Sequence, residues 1–168
     1  MSDAELPEAV HMTDPLPEAA QTASDLLTAS VRALVARGRS VEVDWELETF
    51  VVGDVVMGVV MSSSRSVVLH AVRPQLVSAA ALVNLVEAVP RINTRLSTSS
   101  VEVDLGTGAL SVRAGLEVGD VAVPEEVFAG LLGNLLDEVE RAWGVYGPVL
   151  EAVIDGRLDP AEVTAHAD

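Results

Sequence analysis

The spacing of apolar residues switches repeatedly between a helical period and a period of two, and this alternation most constrains the fold. Leu26, Leu27, Val31, Leu34 and Val35 share one helix face, with Thr22 or Ser24 available to start the helix and Gly38 to stop it. From residue 41 the period becomes two: Val41, Val43, Trp45 and Leu47 alternate with Glu42, Asp44, Glu46 and Glu48, which describes a half-buried strand with an acidic wet face. Gly53-Asp54 fits a tight hairpin turn, after which Val55, Met57, Val59 and Met61 alternate with Val56, Gly58 and Val60, so both faces are apolar. A third strand is expected over 67–72, ended by Arg73-Pro74.

Pro74 suits the first position of a second helix carrying Leu76, Ala79, Ala80, Val83, Val86 and Val89, which Pro90 should kink or end. Val101, Val103 and Leu105, then Leu110, Val112, Ala114, Leu116 and Val118, predict an antiparallel hairpin across Gly106-Thr107-Gly108. Pro124 opens a last helix with an apolar stripe of Phe128, Leu131, Leu132, Leu135, Leu136 and Val139, broken or bent at Gly144, Gly147 and Pro148. The element order α-β-β-β-α-β-β-α describes an α+β domain: a single antiparallel sheet with helices packed on it. It is expected over residues 22–158, between a disordered acidic, Pro-rich N-terminal tail (1–21) and a C-terminal tail (159–168).

Composition narrows the function. A chain of 168 residues that is 49% hydrophobic can bury one sizeable core. The absence of cysteine excludes disulfides, thiolate metal sites, iron–sulfur clusters and cysteine nucleophiles. A formal charge of -16 argues against nucleic acid as a partner. Without the basic and apolar regions of a signal peptide the protein is expected in the cytoplasm. The longest apolar run, 51–61, is interrupted by Asp54 and falls short of the roughly 20 residues that span a bilayer, so no membrane partner is expected.

No catalytic constellation emerges, and the chain reads as a non-enzyme with no cofactor and no metal. His11, His70 and His166 are far apart and have no ligand at metal-binding spacing. Gly53–Gly58 lacks the Lys-Ser/Thr of a phosphate loop, and Ser62–Ser64 lacks the glycines of a nucleophile elbow. The carboxylates of 42–48 either form a solvated face or offer a surface to a basic peptide or hard cation. Arg91 and Arg95, one helical turn apart beside Asn93, either contact an anionic group or, with Asn93 as cap, complement the helix end. Trp45, Trp143 and Tyr146 are read as packing residues, with ligand stacking as the alternative. The second apolar face at Val55, Met57, Val59 and Met61 needs a cover: the terminal segments, a second copy, or a client.

The runs Arg91-Ile92-Asn93-Thr94-Arg95, Val101-Glu102-Val103-Asp104-Leu105, Gly108-Ala109-Leu110-Ser111-Val112-Arg113 and Val127-Phe128-Ala129-Gly130-Leu131-Leu132 resemble the YbjN domain family over roughly residues 24–155. In that family an Asn near the end of the second helix precedes a two-stranded hairpin and a long closing helix. The chain departs from it in placing Val101 and Val103 where an aromatic is common, and Pro90 just before the Asn. The family fold is similar to class I type III secretion chaperones, small acidic proteins that usually form homodimers and hold extended segments of clients. The resemblance implies a homodimeric chaperone-like or adaptor protein that binds a protein partner. The alternative is a small-molecule-sensing or regulatory domain with a pocket near Arg91 and Arg95.

Overall fold

Four strands, not three, precede the middle helix. The computed structural model describes residues 25–165; the expected N-terminal tail, the choice between Thr22 and Ser24 as cap, and His11 and His166 lie outside the described residues. The elements are α1 (Asp25–Ala36), β1 (Val41–Asp44), β2 (Thr49–Val52), β3 (Val56–Met61), β4 (Ser66–Val72), α2 (Ala79–Asn93), β5 (Ser100–Val103), β6 (Leu110–Glu117), α3 (Glu125–Ile154) and a closing 3-10 helix (Pro160–Ala165). All strands join one six-stranded antiparallel sheet in the order β1-β2-β3-β4-β6-β5. The α+β class and the single sheet read from the sequence are those of the molecule.

The extra strand arises because the expected strand over 41–48 folds back at its middle. The Asp44 carboxylate accepts the amides of Glu46 (3.0 Å) and Leu47 (2.9 Å), an Asx turn. Glu48 then takes a left-handed conformation at φ 51°, and the chain returns as β2. Trp45 is therefore only half-buried and Leu47 is 71% exposed, neither on the apolar face assigned to them.

The described residues fall into two compact units, one running to Val68 and including Gly115–Leu135, the other comprising Leu69–Ala114 and the chain from Leu136. In the first, α1 packs on β1 and buries Leu27, Val31 and Leu34. It ends in a Schellman motif, with Gly38 (φ 77°) donating to the Val35 carbonyl at 2.8 Å and Arg39 to Leu34 at 3.1 Å. Val41, Val43, Phe50, Val52, Val56 and Val60 supply the buried side of the β1–β3 meander.

In the second unit, α2 starts at Ala79, with Ser78 as N-cap, and not at Pro74. The reason lies in the backbone: Arg73 donates to Leu110 at 2.9 Å and Val77 to Gly108 at 2.8 Å, so the segment after Pro74 stays tied to β6 and its turn. Pro90 does not end α2, which runs on to Asn93. Pro90 is exposed, and so is Val86, whose carbonyl loses its helical donor there. Likewise α3 runs unbroken through Gly144, Gly147 and Pro148, held by buried Tyr146, Val149, Leu150 and Val153. The expected C-terminal tail is also corrected: residues 160–165 form a 3-10 helix packed against α2, with Val163 fully buried and the Asp159 carboxylate accepting the Ala161 amide at 2.8 Å.

Candidate partner-binding surfaces

The apolar strand β3 has one face built into the core and one left open. Val56, Gly58 and Val60 are buried, while Met57 is 39% and Met61 47% exposed, Val59 is half-buried and Val55, in the preceding turn, is exposed. The inner face accounts for Gly58: a Cβ there would lie 2.1 Å from the ring of Phe50, its cross-strand partner on β2. The outer face extends across the meander, because Val51 pairs with Met57 and Thr49 with Val59. Period-two side-chain alternation then puts Thr49, Val51, Met57, Val59 and Met61 on one surface. Glu42, opposite Val51, borders it.

The acidic stripe is dispersed by the turn. Asp44 holds that turn, and Glu48 accepts the Ser62 hydroxyl at 2.6 Å. No cluster of three metal-ligating side chains occurs among the described residues. Ser62–Ser64 is the β3–β4 connection, as expected from its composition.

The structure separates the Arg91, Asn93 and Arg95 group into different roles. The Arg91 guanidinium pairs with Glu87 one turn earlier at 2.8 Å, on the surface. Asn93 turns to β5: its amide donates to the Val101 carbonyl at 3.0 Å and its oxygen accepts the Val101 amide at 2.8 Å. Thr94, not Asn93, is the C-cap of α2, and Arg95 is exposed. Tyr146 is buried, as a packing residue is, whereas Trp45 and Trp143 are half-buried.

His70, on β4, lies near the Ser111 hydroxyl (3.4 Å) and an Arg113–Glu102 pair (3.6 Å). Burial lowers its pKa from the ordinary 6.5; Glu102 opposes that shift and Arg113 assists it. Arg73 grips Glu151 through two nitrogens at 2.7 and 3.1 Å, a contact between the end of β4 and α3 that the sequence does not announce. The other surface missed by sequence reading is on α2. Leu76, before the helix, together with Ala79, Ala80, Val83 and Val86, is exposed, Val83 by 72%, while the core is served by Ala81, Leu85, Ala88, Val89 and Ile92. Of the stripe expected to face inward, only Val89 does.

With sheet order, Asn93 tie and closing helix in place, the fold can be compared with solved proteins. The crystal structure of YbjN, a proposed transcription regulator from E. coli, matches at a TM-score of 0.54 and 18% identity, covering 77% of this chain and 92% of that one. The fold is YbjN-like. No family model matches the sequence, and no curated protein matches it. At 18% identity the likeness carries the architecture alone. The order of helix, meander, helix, hairpin and helix places Asn93 at the α2–β5 junction. No helix among the described residues is long and apolar enough to cross a membrane.

Proposed function

We propose that the protein is a non-enzymatic, homodimeric adaptor or chaperone-like protein whose working surface is the outer face of β3. The observation that carries this reading is the open apolar row Val55, Met57, Val59 and Met61. A globular domain gains nothing for its own stability by displaying a contiguous apolar row, whereas a partner that covers it removes that surface from water at roughly 25 cal/mol per Å². Because β3 lies inside the sheet, with β2 and β4 on either side, the partner is received on the face through its side chains and not as a strand added to β3. The charge of -16 keeps a protein with such a surface soluble and disfavours direct contact with DNA. A role in transcription like that proposed for E. coli YbjN would run through a protein partner.

The experiment is substitution of Met57 and Val59 by Glu, with circular dichroism as the folding control, sedimentation as the test of dimerisation, and crosslinking capture from the native cytoplasm as the test of partner binding. The expected result is a folded monomer that no longer retains a partner set captured by the wild type. A folded variant that stays dimeric and still holds those partners would refute the assignment of this face.

A further inference from the structure

A second site lies in the unit built around α1, and none of its lining residues belongs to the β3 face. A cavity of about 300 Å³ opens among the start of α1, the turn before β4, and the segment leading into α3. Its wall is apolar at Leu26, Val118, Val121 and Phe128, and Val121 is 66% exposed. Two guanidiniums line it, Arg32 on α1 and Arg65 in the turn, where Arg65 holds a left-handed φ of 48°. Neither makes an ion pair with another side chain among the described residues, in a chain where 26 carboxylates face 10 basic groups. The lining carboxylates Asp25 and Glu125 each sit in a first helical turn, where they complement the positive end of their own helix.

Apolar walls with two cations on them select an acidic segment bearing large apolar side chains. Such a segment is already tethered beside the cavity. Asp25 lines it, and the residues that precede Asp25 include Glu8, Val10, Met12, Asp14, Leu16 and Glu18, with no Arg or Lys anywhere before Arg32. The residues from Leu16 to Asp25 can reach about 30 Å when extended, against roughly 18 Å for the length of α1. Tethering at that range gives an effective concentration on the order of millimolar, so even a weak contact would be well populated.

We propose that this cavity is a docking site for an acidic, apolar peptide segment, and that its resident occupant is the chain's own residues 8–18, held by Arg32 and Arg65. The inference stands apart from the β3 reading and survives its failure.

The test uses the full chain, which has no cysteine, so Thr13→Cys provides a single attachment point for a nitroxide. Resonances of Val118, Val121 and Phe128 should lose most of their intensity relative to the same chain with the nitroxide reduced. Arg32→Glu with Arg65→Glu should restore the intensity, as should about 1 M salt, which shortens electrostatic range to roughly 3 Å. Arg32→Lys with Arg65→Lys should retain the loss and shows that the surface tolerates substitution. The proposal is overturned by undiminished signals at the cavity, or by a loss indifferent to charge reversal. It is also overturned if the loss appears in unlabelled chains mixed with nitroxide-bearing ones, which would assign the site to another copy.

Discussion

The outer faces of β3 and α2 are both apolar and both exposed, yet they differ in what leaves them outside. On β3 a single choice of pleat decides which residues face the core, and Gly58 against Phe50 settles that choice from inside. On α2 apolar residues occur nearly all round, and two stripes compete at helical spacing. The one with the larger buried payload, Leu85, Val89 and Ile92, takes the core, leaving Val83 and Val86 outside. A strand with two apolar faces poses a binary question, whereas a helix with two apolar stripes poses one of rotation, which periodicity alone does not answer.

The contrast is easiest to sharpen on α2. Leu85→Ala should cost about 2–5 kcal/mol in denaturant unfolding and Val83→Ala, on the opposite side of the helix from that stripe, under about 0.5 kcal/mol. Equal costs would mean that the helix is rotated from the orientation described. On β3, Gly58→Ala forces a methyl into the buried Phe50 ring and should cost about 1–3 kcal/mol by the same measurement. If Gly58→Ala with Phe50→Leu is no more stable than Gly58→Ala alone, the ring is not the obstacle. Asn93→Ala removes both bonds to the Val101 backbone and should cost about 1–3 kcal/mol, with Asn93→Asp recovering only part because the donor is lost.

The smallest effect is in pH. Burial lowers the native pKa of His70, so the unfolded chain binds the proton more readily. Stability is therefore full above the ordinary value of 6.5 and declines as pH falls through it toward the lowered native pKa. Replacing His70 by Asn should flatten that part of the stability profile, read as the midpoint of unfolding against pH.

These cases define what the sequence could disclose. Sheet and helix content, the β5–β6 hairpin, and the two apolar sides of β3 followed from side-chain spacing, which is local. The turn after Asp44 did not, because Trp45 and Leu47 continue the alternation while the Asp44 carboxylate overrides it. The continuity of α2 and α3 through Pro90 and Pro148 was also hidden, since burial on the far side of each helix outweighs one lost hydrogen bond. Neighbours in sequence around Arg91 and Arg95 take different partners in the fold. Asn93 points to β5, and Arg91 pairs with Glu87 along its own helix.

Asn93 also bears on how the sheet ends. β5 is a terminal strand of the sheet, and an unpaired strand edge is a template on which another chain can polymerise. By engaging both polar groups of the Val101 peptide backbone, the Asn93 amide acts as a short imitation of the next strand and caps that edge at its centre. The other edge, β1, carries its own deterrent in four-residue brevity and the Glu42 charge. A protein that leaves apolar surface open on its sheet thus closes the route by which such surfaces most often seed fibres.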